Sequence, residues 1–157
     1  MCRRGGNTAL KFSEIHEEKW PQLRPYLDTC LLPVTGLTGT EEPWLAASRL
    51  EKLRDVLDLI EIPFKGRVVT YPAFHYLNAS SASQMLTEQC VRLREAGFTY
   101  IVIAALNMAV AKITQIDTCD LIVSEEELAE LSPDEQQRYV NERIAAIWHT
   151  SQVSNEL

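Results

Sequence analysis

The stretch Asp28-Thr-Cys-Leu-Leu-Pro-Val-Thr-Gly-Leu-Thr-Gly-Thr40 decides the fold: an apolar run from Cys30 to Val34 empties into a loop that holds Gly36 and Gly39. An apolar run without polar alternation is buried on both faces, which is the pattern of a strand inside a parallel sheet. Its echo is Arg67-Val-Val-Thr-Tyr-Pro-Ala-Phe-His-Tyr-Leu77, again an apolar run stopped by a proline. In open parallel sheets, ligands sit in the loops at the carboxyl ends of the strands. The two stretches therefore mark one rim of the sheet as the place to look for a site.

Working outward, the first strand spans about Thr29 to Val34, with Pro33 marking an end that has left the ladder or lies at a bulge. Pro43 suits the first turn of a helix to about Glu61, whose buried face is Ala46, Leu50, Leu53, Leu57 and Ile60 at three-and-four spacing. A second strand covers Arg67 to Tyr71. Ser81 with Gln84 matches a capping box for a helix that runs to Ala96, with Gly97 as its left-handed terminator and Ala82, Met85, Leu86, Cys90 and Leu93 inward. The third strand lies within Phe98 to Leu106, around the strongly β-forming Tyr100-Ile-Val-Ile103. A helix is expected over residues 107–118, then a short strand at Asp120-Leu-Ile-Val123. Two capping boxes follow, Ser124 with Glu127 and Ser132 with Glu135, the second opening a helix from Pro133 to about Thr150. Ahead of all this, Ser13 caps a short helix from Glu14 to Trp20 that Pro21 ends.

These pieces predict a three-layer α/β domain built on a mostly parallel sheet of about four strands in the flavodoxin-like order 2-1-3-4. The chain has 157 residues, 46% of them hydrophobic and 24% charged, enough for one core and one domain. Residues 1–10 are expected to form a loose extension, 11–150 the domain, and 151–157 a frayed tail. Acid is unevenly placed: from Asp120 to Arg143 eight carboxylates face two arginines, which accounts for six of the seven net negative charges. No broad basic footprint remains for a phosphate backbone, and the Arg3-Arg4 pair reads as a solvated tail, so nucleic acid is excluded as a partner. The four cysteines, Cys2, Cys30, Cys90 and Cys119, have no CxxC and no zinc spacing. They read as reduced thiols of a cytoplasmic protein, in keeping with the absence of a signal peptide or a transmembrane stretch.

The candidate ligand-binding residues are Thr35, Gly36, Thr38 and Gly39 in the first loop, Pro72, His75 and Tyr76 in the second, and Asn107 after the third strand. Glycines let backbone N–H groups approach an anion, and threonines add hydroxyl donors. There is no P-loop lysine and no GxGxxG, and Glu41-Glu42 at the helix start would repel phosphate. His75 follows a strand end, where a general base or a metal ligand sits, with Asp28, Glu41 and Asn107 as the available orienting groups. The alternative is that His75 and its aromatic neighbours simply pack over the sheet end. Pro72, after an aromatic residue at a strand end, is a candidate for a cis peptide bond. His16 and His149 read as surface residues, and Cys30 as a core thiol. No residue is assigned a catalytic or metal-binding role, and no cofactor is implied.

The segments Tyr26-Leu-Asp-Thr-Cys-Leu-Leu-Pro-Val34 and Phe64-Lys-Gly-Arg-Val-Val-Thr-Tyr-Pro-Ala-Phe-His-Tyr-Leu77 resemble the two hallmark stretches of the YpiF-like family, small proteins of spore-forming Gram-positive bacteria and relatives. The likeness covers about Lys11 to Thr150. The family has no assigned activity; the resemblance implies a bacterial, cytoplasmic setting and, through gene neighbourhood, a link to expression or assembly of the menaquinol–cytochrome c reductase. A weaker similarity is to creatininase-type amidohydrolases. Leu32-Pro-Val-Thr-Gly-Leu-Thr-Gly-Thr40 lacks their Glu-x-His-Gly, and Ala104-Ala-Leu-Asn107 lacks their Asn-x-His-Gly, so that relation implies a metal-free descendant.

The resulting expectation is a non-enzymatic domain that binds a protein partner or a small ligand at the carboxyl edge of the sheet, with the oligomeric state left open. The alternative is a small enzyme, degenerate creatininase-like or other, with His75 as acid/base. A third reading is an interaction factor acting through the acidic helices from Glu125 to Thr150.

Overall fold

The computed structural model describes residues 10–75, 79–106 and 118–155. Strands β1 (Thr29–Val34), β2 (Val68–Thr70), β3 (Tyr100–Ala105) and β4 (Leu121–Ser124) form one parallel sheet. Its order is β2-β1-β3-β4, the flavodoxin-like order expected from the sequence. The helices are α1 (Trp20–Leu23), α2 (Pro43–Glu61), α3 (Ala79–Glu95), α4 (Glu125–Leu128) and α5 (Pro133–Asn155). Among the described residues, no helix is long and apolar enough to cross a membrane.

The pleat sorts the apolar runs onto two faces. Cys30, Leu32 and Val34 of β1, with Ile101, Ile103 and Ala105 of β3, pack with Ala82, Leu86, Cys90 and Leu93 of α3. Leu31, Val102 and Ala104 point the other way, against Leu53, Val56 and Ile60 of α2 and Val140 and Ile144 of α5. Both faces of β1 and β3 are thus covered by helices, which is why neither strand alternates with polar residues.

Several boundaries differ from the expectation for identifiable reasons. Pro21 opens α1 instead of ending a helix, because its missing N–H costs nothing in a first turn. Glu14 belongs to a single 3₁₀ turn, Phe12–Glu14, and its carboxylate accepts from the Lys11 N–H at 2.9 Å. Helix α3 begins at Ala79, so Ser81 lies inside it and is not its cap. Leu50 and Met85, assigned inward, are 43% and 45% exposed, while Val56 and Glu61 take buried places on α2. Helix α5 continues to Asn155, beyond the expected end near Thr150. Gly97 does terminate α3, at φ +110.

The amino-terminal rim is tied by ions and rings. Arg67, just before β2, makes two contacts with Asp28, at 2.9 and 3.1 Å. Its guanidinium lies 4.0 Å from the centre of the Trp148 ring, which stands edge-on to Phe64. Arg94 reaches Asp120 at 2.8 Å and the carbonyls of Thr99 and Thr118, and Asp120 in turn accepts from the Ile101 N–H. These clusters occupy the rim opposite the candidate loops.

Among the described residues no disulfide occurs, and Cys30 and Cys90 are fully buried. Burial pushes both thiols above their ordinary value, and raises Cys119 to about 11. Thiolates are the reactive form, so all three should resist a disulfide reagent at pH 8 in the folded protein and react promptly in guanidinium. Rapid native-state labelling of Cys30 or Cys90, read by peptide mass mapping, would contradict this burial.

Candidate functional site

The carboxyl rim is assembled by an extension of the sheet past β2. Tyr71 N donates to Leu31 O at 2.9 Å, Phe74 N to Pro33 O at 2.7 Å, and Thr35 N to Phe74 O at 3.0 Å. Four residues from Tyr71 to Phe74 thus oppose three from Leu31 to Pro33, a bulge whose extra residue falls at Pro72-Ala73. Pro33 pairs in register with Ala104 on its other side, so it stays in the ladder and its missing donor faces the bulge. The sequence admits either a departure from the ladder or a bulge at this end; the chain bulges on the β2 side. The candidate cis bond at Pro72 is not found, since the described residues contain no cis peptide. A trans bond keeps the segment extended, which is what carries Phe74 back onto β1.

That extension brings the two loops together. Thr35, 6% exposed, places its Oγ1 3.1 Å from Nδ1 of the exposed His75. The orienting partner of the imidazole is therefore this hydroxyl, not a carboxylate. Asp28 is held by Arg67 at the opposite rim, and Glu41 is engaged within its own loop. Tyr76 and Asn107 lie outside the described residues, as do residues 107–117 of the helix expected over residues 107–118. Beside the bulge, Pro72, Ala73 and Phe74 line a cavity of about 400 Å³ together with Phe12, Leu32, Tyr71 and Gln89.

The first loop is a backbone anion cradle that is already filled. Gly36 and Gly39 take φ +65 and +92, values an L side chain rarely adopts. The turn they permit points the N–H groups of Thr38 and Gly39 at the Glu41 carboxylate, at 2.8 and 2.9 Å. Thr38 Oγ1 donates to the same carboxylate at 3.0 Å, and Arg49 adds a 3.0 Å ion pair. Sequence reasoning placed Glu41 as a repulsive neighbour of this loop; it is the loop's occupant. The spacing of an acid two or three residues after a Thr-Gly pair was the available signal.

The Thr38 and Gly39 hydrogen bonds hold the Glu41 carboxyl at about 2, below its ordinary 4.5. A depressed folded-state value contributes stability that is fully present above pH 4.5 and is lost as pH falls through about 2. Glu41→Gln should accordingly flatten the fall of the melting temperature across this acid window while leaving the pH 7 fold intact. An unchanged acid profile in differential scanning calorimetry would show that the cradle does not discriminate the charged form.

The second residue missed by the sequence reading is Trp44, in the first turn of α2. It is 68% exposed, and its indole N–H donates to the neighbouring Glu42. A tryptophan directly after a loop and an N1 proline was the sequence signal. The rim thus offers a held imidazole, a filled anion cradle and a large exposed indole.

A family model described as Protein of unknown function (DUF2487) matches residues 18–152. Neither the curated proteins nor the solved structures contain a match to the chain.

Proposed function

This chain belongs to the DUF2487 family of proteins of unknown function, and from that premise we propose that it is a non-enzymatic α/β domain that binds a partner at the carboxyl rim of its sheet. The observation that carries this reading is the 3.1 Å contact between Thr35 and His75, which makes one surface of two loops 40 residues apart in sequence. Trp44 favours a protein partner over a small anion, because exposed tryptophans are characteristic anchors of protein interfaces. The filled cradle supports the same choice, since a phosphate or carboxylate ligand would have to displace Glu41.

The resemblance to the YpiF-like family extends the proposal: a cytoplasmic bacterial protein whose partner is connected with expression or assembly of the menaquinol–cytochrome c reductase. The domain proper spans residues 11–150, with helix α5 carrying on to Asn155. The test is affinity capture from cells of the source with wild type, Trp44→Ala and His75→Ala, each first shown to keep its melting temperature. A partner held by wild type and released by the variants is the expected result. The same partner retained by both variants, or full complementation of every deletion phenotype by them, would remove the rim from consideration.

A second reading is favoured by one feature. An imidazole at a strand's carboxyl end with Nδ1 held by Thr35 is oriented as an acid/base would be, leaving Nε2 for a substrate. A hydrolase or transferase activity abolished by His75→Gln without unfolding would establish it over the first.

A further inference from the structure

We propose that the chain carries a second site, selective for an alkylated ammonium group, in the aromatic cavity between its N-terminal segment and the outer edge of β2. This inference does not rest on the rim. The cavity measures about 250 Å³ and is walled by Phe12, Trp20, Tyr71 and Phe98, with His16 and Glu17 also on its lining. Its walls come from three pieces of chain, residues 12–20, 69–71 and Phe98, the first two drawn together along the sheet edge by the Leu10 and Lys11 pairing with Thr70.

The rings are neighbours without being stacked. Phe12 and Tyr71 lie 6.4 Å apart at 50°, Tyr71 and Phe98 5.2 Å apart at 90°, and Trp20 and Phe98 6.3 Å apart at 48°. None of these pairs is stacked face to face, so each ring keeps at least one face free of its partner, and a ring face carries the negative end of the quadrupole. Four such rings around one space, with the exposed Glu17 carboxylate beside them, match a group that is apolar at its surface and positively charged. A trimethylammonium group has that character. A simple hydrocarbon would make no use of the Glu17 carboxylate, which solvent already hydrates, and a metal ion or free amine would surrender a strong hydration shell to largely apolar walls. Phe12, 48% exposed at the cavity, is otherwise an unexplained exposed phenyl. The chain's net charge of −7 favours the approach of any cation.

Trimethylammonium is supplied by small solutes such as choline and by trimethyl-lysine side chains, and both arms belong in the test. Calorimetric titration of the full chain at low salt would use choline chloride, its neutral isostere 3,3-dimethylbutan-1-ol, and a short trimethyl-lysine peptide. Choline is expected to bind at least about tenfold more tightly than the isostere, the signature of cation–π attraction over plain burial. Glu17→Gln should weaken choline about threefold and Phe12→Leu about tenfold, with melting temperatures preserved because both side chains are exposed. Whichever of choline and the peptide binds the more tightly identifies the source of the group. Absence of heat with both, or equal affinity for choline and its neutral isostere, would overturn the proposal.

Discussion

Trp148→Ala is expected to lower the stability of the folded chain by about 3 kcal/mol, from the usual cost of removing a large aromatic that packs against a core. Four contacts disappear together. The ring loses its edge-on partner Phe64 at 5.1 Å, the Arg67 guanidinium 4.0 Å away, and the packing of α5 on the sheet. Its Nε1 also stops donating to Thr29 Oγ1, a 3.0 Å bond to a residue with no exposed surface. Trp148→Phe separates the parts: ring contacts largely persist, one neutral hydrogen bond goes, and the cost should fall to about 1 kcal/mol. Urea denaturation of the two variants measures both figures. A Trp148→Ala loss below that of Trp148→Phe would mean that the ring cluster does not anchor α5.

The second large effect is centred on Glu61, which is 1% exposed at the end of α2. Its carboxylate accepts from Thr70 Oγ1 at 2.7 Å and pairs with Arg54 at 3.3 Å. Glu61→Leu fills the space with carbon but leaves the buried Thr70 hydroxyl without its acceptor, at a cost of about 2 kcal/mol. Arg54 is not stranded, since it also pairs with Asp58 at 3.2 Å and remains half in solvent. Adding Thr70→Val removes the orphaned hydroxyl, and the double variant should recover most of the loss. A double-mutant cycle reads the coupling directly; strictly additive single losses would show that the pair is not a unit.

How far the sequence carried the argument follows from which signals are local. That β1 and β3 are the central strands was legible because Cys30 to Val34 and Tyr100 to Ile103 are apolar throughout, and only central strands of a covered parallel sheet demand that; the full order followed from the βαβ connections by analogy. The Ser132 and Glu135 capping box was legible for the same reason, as a reciprocal pair within one turn, at 3.0 and 3.3 Å. Leu50 and Met85 were misplaced because helical spacing assigns a face without knowing where the sheet ends. The burial of Glu61, expected only as the end of α2, was not legible because nothing in the helix reveals that Thr70, nine residues on, meets it in the interior. At the rim, both loops were identified, yet their meeting depends on the bulge at Pro72-Ala73, and neither Thr35 nor His75 announces the other across 40 positions. The roles of Glu41 and Trp44 depend on geometry that composition does not encode.

The cradle that Glu41 fills has a consequence for selectivity among solutes. A carboxylate tethered two residues from its donors is present at an effective concentration set by the chain, on the order of millimolar or above. Free phosphate, nucleotides and organic acids in a cell must compete with that standing concentration before any of them touches the Thr38 and Gly39 N–H groups. The loop is therefore buffered against the commonest anions. A partner of the kind proposed would be met at this rim by shape, through the indole of Trp44 and the imidazole of His75, and changes in ambient anions would leave that encounter unchanged.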